Sequence, residues 1–408
     1  MASTATDVLT RQQRRVLLAI AGSQLLVLTL WFSASAVAPQ LEIIWNLSAD
    51  ETAGLTLAVQ IGFVAGALLS SITGLADAIP SRRLFSIGAA LGVVANTSLV
   101  ALDADDVPVA LALRFLTGVA LAAVYPAGLK VMSGWFTAGR GMALGTLVGA
   151  LTVGSATPHL VRGFGFGWQG VVLVASVLAA LGGVLMAAFV NDGPHEVKSG
   201  RFSFRQVGHV VRNRGVRLST YGYLGHMWEL YAMWTWTAAF LAASAAAGGY
   251  GDRWISTATF FVIAAGSYGS WLAGRWSDRF GRTLVAGGSL ALSGTIASLT
   301  PLLFGAAPWI LVPILVVWGF AVVADSAQFS TMVTETASGE VRGTALTLQT
   351  AVGFLLTLVT IRVVPLIADA ISWRWAFPIL ALGPLLGVVS MVRLRRSPDA
   401  ALLAGGIG

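Results

Sequence analysis

Long runs of apolar residues, separated by short polar or charged stretches, dominate the hydrophobic pattern of this chain. A helix needs about 20 mostly apolar residues to cross the hydrocarbon core of a bilayer. Twelve runs of that kind lie near residues 16–38, 53–75, 84–102, 107–128, 141–161, 168–190, 218–246, 255–274, 283–304, 308–330, 343–365 and 374–393. The pattern predicts an all-α integral membrane protein with twelve transmembrane helices, and it sets each boundary to within about four residues.

The longest stretch without an apolar run lies between the sixth and seventh runs and divides the predicted helices into two sets of six. The predicted organisation is a cytoplasmic N-terminal segment at 1–15, an N-terminal six-helix bundle at 16–190, a cytoplasmic linker at 191–217, a C-terminal six-helix bundle at 218–393 and a cytoplasmic C-terminal segment at 394–408.

The composition supports a membrane protein and limits the chemistry. The chain is 56% hydrophobic and 11% charged, whereas soluble domains carry about 25% charged residues. It has no cysteine, which excludes disulfides, thiolate metal sites and a cysteine nucleophile. It has four histidines, so we expect neither a bound metal nor a cofactor.

The positive charges predict the orientation in the membrane. Cytoplasmic loops of membrane proteins collect Lys and Arg. If the N-terminus is cytoplasmic, twenty of the 25 Lys and Arg residues, including Lys198 and Arg201, fall on the cytoplasmic side. We therefore expect both termini in the cytoplasm and a location in the cell membrane (plasma or inner). The net charge of +7 then reflects topology, and nucleic-acid binding is not expected.

The two halves of the chain resemble each other at an offset of about 200 residues. Residues 75–77 (L-A-D) after the second run correspond to 276–278 (W-S-D) after the eighth. Residues 140–144 (R-G-M-A-L) open the fifth run, and 342–346 (R-G-T-A-L) open the eleventh. Parallel repeats with a solute site between them are typical of secondary transporters.

Three motifs carry a resemblance to a known family. Residues 274–282, G-R-W-S-D-R-F-G-R, resemble the signature loop of the major facilitator superfamily, G-x-x-x-D-R-x-G-R. Residues 73–83 are a degraded copy that keeps the aspartate and the final basic pair. Residues 114–118, R-F-L-T-G, resemble the R-x-x-x-G motif of proton-linked members. The resemblance covers essentially the whole chain, and it implies two six-helix pseudo-repeats and transport by alternating access.

The signature loops predict a conformational gate. An aspartate at a cytoplasmic helix end can pair with arginine and with the positive N-terminus of another helix. Such contacts form in one conformation and break in the other, so they set the balance between the two states. The candidate gate residues are Asp77, Asp278, Arg279 and Arg282. The alternative is that these charges only fix the topology.

Ionisable residues inside predicted membrane helices are candidates for function, because burying a charge in lipid is costly. The candidates for the solute and proton pathway are Arg114, His226, Glu229, Asp325 and Arg362. In the family that the chain resembles, the first, fourth, seventh and tenth helices line the cavity. That resemblance implies that Arg114, Glu229 and Asp325 face it.

Each of these candidates has a second interpretation. Arg114 either binds an anion or modulates a proton site, or else it snorkels outward or bonds backbone carbonyls. Arg362 faces either the cavity or the membrane interface. His226 lies three residues before Glu229 and therefore on the same helical face. The two residues form either a proton acceptor or a structural pair. A zinc site is disfavoured because catalytic zinc needs three protein ligands. Asp325 either takes up a proton or bonds solute, or it lies at the interface.

A further set of polar and aromatic residues in the predicted helices supplies candidates for the cavity wall. Tryptophan and tyrosine offer apolar surfaces with one polar atom. These cavity candidates are Gln24, Trp31, Gln60, Tyr125, Trp228, Trp236 and Gln349.

The sequence favours a secondary active transporter, coupled to protons, for a small polar or anionic organic solute. The expected partners are the solute, protons and the lipid bilayer, and a monomer is expected. The alternative is a proton/drug antiporter for lipophilic or cationic compounds, based on Glu229 among aromatic residues. A nitrate or nitrite porter and a non-transporting membrane sensor are less favoured. No nucleophile or metal constellation indicates an enzyme.

Overall fold

The architecture was determined from a computed structural model, which describes residues 10–136, 140–195 and 202–408. Lys198 and Arg201, which the sequence assigned to the cytoplasmic side, lie outside the described residues. The same holds for residues 1–9 of the predicted N-terminal segment and for the side chain of Arg140.

The first part of the chain folds into eight α-helices. They are α1 Arg11–Leu28, α2 Ala38–Ile44, α3 Ala49–Thr73, α4 Leu75–Ala78, α5 Ser81–Ser98, α6 Val107–Trp135, α7 Arg140–Gly163 and α8 Trp168–Phe189. Helix α3 begins at a capping box, in which Ser48 and Glu51 satisfy each other's backbone N–H groups. It ends at Gly74, whose φ of 72° is a left-handed conformation that glycine adopts without strain.

The second part of the chain folds into eight more α-helices. They are α9 Phe204–Arg212, α10 Arg214–Gly248, α11 Ile255–Phe280, α12 Arg282–Leu303, α13 Pro308–Ala324, α14 Ser326–Thr336, α15 Arg342–Ala370 and α16 Leu382–Arg395. Turns of 3-10 helix at Trp373–Trp375 and Pro378–Ala381 precede α16. Helices therefore lie over all twelve predicted apolar runs.

Nine helices in the described part of the chain are long and apolar enough to cross a membrane. The three predicted runs that do not meet this criterion are 16–38, 218–246 and 255–274. The first is broken in the structure, and α10 carries buried polar groups, including His226 and Glu229. The all-helical, multi-pass membrane fold is confirmed, and the count of twelve crossings stays a prediction.

Three predicted helices are interrupted in the described part of the chain, and the twelfth is one of them because it passes through two 3-10 turns before α16. The first run forms α1, turns at residues 29–34, a 3-10 turn at Ser35–Val37 and then α2. The tenth run divides at Asp325 into α13 and α14. A helix break inside a membrane exposes backbone groups that must find other partners, and such breaks are tolerated where they are buried in protein or line a cavity.

The two halves of the molecule meet along two pairs of helices: α7 packs against α11, and α3 packs against α15. Small residues bring α7 and α11 close together, because Gly145 and Gly149 lie against Ser270 and Ser267 of α11. Close approach through small residues is a common means of helix association in lipid. The halves are therefore in contact along two seams, and cavities lie between the seams.

Candidate functional site

A cavity of about 370 Å³ lies between the halves, lined by α6, α7, α10, α13, α14 and α15. It lies toward the helix ends where the predicted cytoplasmic arginines cluster, and we call it the inner cavity. A neighbouring space of about 260 Å³ shares Tyr125, Thr350 and Phe354 with it. Most of the wall is apolar, and its polar groups include His226 and Ser326.

A second cavity, of about 450 Å³, lies toward the opposite helix ends, and we call it the outer cavity. Three carboxylates, those of Glu42, Asp252 and Asp369, are among its lining residues, together with Arg162 and Trp236. The guanidinium of Arg162 donates a hydrogen bond of 2.7 Å to the carbonyl oxygen of Ala36 in the broken first segment.

Six buried aromatic rings lie between the two cavities. Both halves contribute three of them: Trp31, Phe32 and Phe63 from the first half, and Tyr231, Trp234 and Phe354 from the second. Rings from opposite halves are in contact, with centroid distances of 5.7 Å for Trp31–Tyr231 and 4.6 Å for Phe63–Phe354. We call this set the aromatic layer. It closes the passage between the cavities in this conformation.

His226 and Asp325 form a buried pair at the wall of the inner cavity. Nδ1 of His226 is 2.8 Å from Oδ1 of Asp325, and both side chains are almost fully buried. Nε2 of His226 is 3.1 Å from the hydroxyl oxygen of Ser326. Asp325 stands at the junction of α13 and α14, so the break in this segment turns its carboxylate toward α10. His226 and Ser326 line the cavity, and Asp325 lies behind them.

Glu229 points into the second half instead of toward the inner cavity. Its Oε1 accepts a hydrogen bond of 2.6 Å from the indole nitrogen of Trp318, and its Oε2 accepts one of 2.8 Å from the hydroxyl of Ser293. The carboxylate is fully buried between α10, α12 and α13. The predicted pairing of His226 with Glu229 is not formed, because the two side chains turn to different neighbouring helices.

Arg114 lies inside the first half, fully buried, and its guanidinium holds the break in the first segment. It donates to the carbonyl oxygens of Leu30 at 3.1 Å and Trp31 at 2.5 Å. It also donates to Ser33 and Asn96, at 3.1 Å each, and to the Leu55 carbonyl at 3.3 Å. Of the predicted roles of this arginine, which are anion binding, modulation of a proton site, outward snorkelling and bonding to backbone carbonyls, the geometry matches the last.

The predicted gate residues lie at the basic ends of the helices. Asp77 is 2.8 Å from the ammonium of Lys130, within the first half. Arg282 is 3.4 Å from Asp278 and 2.7 Å from Glu335, within the second. The guanidinium of Arg279 lies over the ring of Phe280.

Arg362 forms an ion pair that joins the halves at the opposite end of the molecule. Its partner is Asp50, in the first turn of α3. Arg362 is one-third exposed, and it is not among the described residues that line the inner cavity.

The cavity candidates divide into three groups: residues in a cavity wall or in the aromatic layer, one residue away from the cavities, and buried amides. Tyr125 lines the inner cavity, Trp236 lines the outer cavity, and Trp31 belongs to the aromatic layer. Trp228 donates to the Ile379 carbonyl at 3.0 Å and packs against Gly383, away from the cavities. The third group is buried amides that have no hydrogen-bond partner in the described residues, namely Gln24, Gln60 and Gln349.

Sequence reasoning missed several groups that complete these contacts. Ser326, Tyr223 and Phe354 line the inner cavity, and Asn96 contacts Arg114. A signal existed for Ser326, which follows Asp325 directly in an apolar run. In the described residues, no group of three or more His, Asp or Glu residues is arranged to hold a metal ion.

The fold and the cavities define a polytopic membrane protein of two similar halves with a central passage, which is the architecture of a secondary transporter. The family model described as the Major Facilitator Superfamily matches residues 20–253 and again 252–406, so the chain belongs to that superfamily. Membership of this superfamily makes it a membrane transporter. The predicted family resemblance is thereby confirmed.

One solved structure shows the same fold at low sequence identity. The crystal structure of a D-xylose-proton symporter aligns with a TM-score of 0.72 at 17% identity, over 94% of this chain and 97% of that one. A comparison with curated protein sequences finds no match.

Proposed function

We propose that this protein is a secondary active transporter that works by alternating access and couples the movement of a small, uncharged polar organic solute to the movement of protons. The observation that carries the proposal is the buried His226–Asp325 pair, 2.8 Å apart at the wall of the inner cavity. Ionisable residues inside a membrane protein are costly and commonly mark proton or solute pathways.

The pair has the chemistry of a proton carrier. A carboxylate next to an imidazole can gain and lose a proton without leaving an isolated charge in a low-dielectric site. His226 also contacts Ser326, and both residues line the inner cavity. A solute in the cavity therefore contacts His226 of the proton-binding pair directly, and its binding changes the energy of each protonation state of the pair.

The solute class follows from the polar groups of the wall. Tyr125, Tyr223 and Tyr231 all line the inner cavity. Phenol groups donate and accept hydrogen bonds and offer an apolar ring face. They come from both halves, so a hydroxyl- or carbonyl-bearing solute can contact both at once. The cavity volume of about 370 Å³ suits one small molecule.

Charge disfavours the other solute classes. No Lys or Arg is among the described residues that line the inner cavity, and each nitrogen of the Arg114 guanidinium donates within the first half. An anionic solute therefore lacks a counter-charge. The drug antiporter depended on Glu229 facing an aromatic cavity, but both of its oxygens bond inside the second half. The structural neighbour is a symporter of D-xylose and protons, which agrees in solute class and coupling.

The topology completes the proposal. We infer from the distribution of Lys and Arg that both termini and the linker at 191–217 are cytoplasmic. The segments 16–190 and 218–393 then form the two moving bundles. We further propose a plasma or inner membrane location and a monomer.

The test uses proteoliposomes that contain a trapped pH-sensitive dye. Neutral sugars and polyols, small carboxylates and lipophilic cations are added outside in turn. We expect a neutral hydroxylated solute to acidify the interior with the wild-type protein. We expect Asp325→Asn to abolish acidification while exchange of labelled solute continues, because the asparagine cannot cycle a proton. Glu229→Gln is the matched control, a second buried carboxylate, and should acidify as the wild type does.

Two results would contradict the proposal. If Asp325→Asn still drives acidification at the wild-type rate, the pair does not carry the proton. If only carboxylates or only lipophilic cations produce a signal, the assigned solute class is wrong.

A further inference from the structure

The linker helix α9 has three distinct faces, and one of them is an apolar stripe that stays largely exposed in the described part of the chain, with only the ring of Phe204 packed edge-on against Phe202. Phe204, Val207 and Val211 lie at positions i, i+3 and i+7, which is one side of a helix. Phe204 is 74% exposed and Val211 is 49% exposed. An apolar stripe of this kind is unfavourable in water, so it indicates a binding surface.

The second face of α9 is basic, and the third is bound to the protein. Arg205, His209 and Arg212 share a side of the helix next to the apolar stripe, and all three are exposed. On the remaining side, Gln206 accepts a 2.7 Å hydrogen bond from the hydroxyl of Thr344, and Val210 is buried in a small apolar cluster. The helix is therefore held in place with its apolar and basic faces turned outward.

Helix α9 lies level with the end of α3 and the start of α15, two of the helices that are apolar enough to cross a membrane. The backbone N–H of Phe202, just before it, donates to the carbonyl of Ser71, which lies two residues from the end of α3. Thr344 lies two residues after the start of α15. Asn213 has an extended backbone between α9 and the membrane helix α10, so the chain changes direction there.

We infer that α9 is an interfacial helix that docks on a surface of anionic phospholipid. A short helix with apolar side chains on one face and arginines on the flank lies in the plane of the membrane interface. There its apolar side chains leave water and its arginines meet lipid phosphates. Charge complementarity selects the occupant, because Arg205 and Arg212 are joined by the exposed Arg214 and Arg217 at the start of α10. Anionic leaflets attract such clusters beside membrane helices.

The absence of cysteine from the sequence makes a direct test possible. Val211→Cys carries a single fluorophore, and the protein is placed in nanodiscs of phosphatidylcholine alone or mixed with phosphatidylglycerol. Aqueous iodide and a nitroxide-bearing lipid serve as quenchers. We expect the nitroxide lipid to quench and iodide to be excluded in the anionic discs, with the exclusion reduced at high salt.

Two control label positions and one double variant show how the quenching at position 211 is to be interpreted. A fluorophore at Val177→Cys, on the exposed side of α8, reports full lipid contact, and one at Ala104→Cys, in an exposed 3-10 turn of the α5–α6 loop next to Asp103, Asp105 and Asp106, reports water. Arg205→Gln with Arg212→Gln should raise iodide quenching at position 211 about threefold or more in anionic discs.

Equal iodide quenching in both disc types, at the level of the loop control, would overturn the inference. So would protection from both quenchers, since that pattern means that protein and not lipid covers the stripe.

Discussion

Arg114 is the residue whose structural role can be tested most sharply, because replacement by lysine keeps its charge. The guanidinium donates five hydrogen bonds from three nitrogens, to groups on α3, α5 and the broken first segment. Lysine has one nitrogen with three donors. The variant Arg114→Lys therefore leaves at least two acceptors without their bond.

The expected loss of stability follows from the number of hydrogen bonds that the variant loses. A hydrogen bond to a charged group contributes about 1.5–3 kcal/mol, so two lost bonds cost about 3–6 kcal/mol. The burial of charge does not offset the loss, because an ammonium is more strongly hydrated than a guanidinium and is at least as costly to bury. The carbonyl of Trp31 is most affected, since in the described part of the chain no backbone N–H donates to it.

The assay is thermal unfolding of the purified protein in detergent. At about 2 °C per kcal/mol for a large chain, we expect Arg114→Lys to melt about 6 °C or more below the wild type. Arg83→Lys is the control, because Arg83 is exposed. A melting temperature within about 1 °C of the wild type would refute the role of Arg114 as the support of the break. Loss of solute binding without loss of stability would instead make it a solute residue.

Three further predictions use the same preparation. Glu229→Gln should melt near the wild type because its amide can serve both hydrogen-bond partners, whereas Glu229→Leu should lose about 1–3 kcal/mol by leaving the indole N–H unpaired. Asp50→Asn breaks an exposed ion pair between the halves, which contributes up to about 1 kcal/mol. A cysteine introduced at Ala239 in the outer cavity should then react with maleimide up to about fivefold faster. An unchanged labelling rate would mean that the ion pair does not hold the outer side closed. Gly319→Ala should prevent a monodisperse peak in size-exclusion chromatography because its Cβ would overlap a backbone oxygen of α11, while Gly288→Ala, with open space around it, should run as the wild type.

The sequence was sufficient for the fold because the determinants of the fold are local. Apolar runs of membrane length, the placement of arginines and the loop at residues 274–282 are each read from a few adjacent residues. They indicated the membrane class and the family correctly. The break in the first segment was not predictable in this way, since residues 29–34 contain neither glycine nor proline. The donors that stabilise that break come from Arg114, about 80 residues away in the chain.

The candidate site shows the same limit. Helical spacing placed His226 and Glu229 on one face, and it is correct that both are buried on α10. Spacing within one helix cannot tell which neighbouring helix each side chain meets. Asp325 meets His226 only because α13 ends one residue earlier, and Ser293 and Trp318 meet Glu229 from two other helices. These contacts depend on tertiary packing, which no single run of sequence encodes.

For the proton-coupled carrier proposed above, the aromatic layer has a second role, which is to keep protons from crossing uncoupled. A coupled carrier conserves the proton gradient only if no continuous file of water ever connects the two sides of the membrane. Here six interlocked rings provide that seal, and neither half holds more than three of them. When the passage opens toward one side of the membrane, the rings of the two halves must separate. The helix ends at the other side of the membrane must close before that happens. Removal of one ring from the layer, as in Phe63→Ala, would give a carrier with an uncoupled proton leak, even when no solute is present.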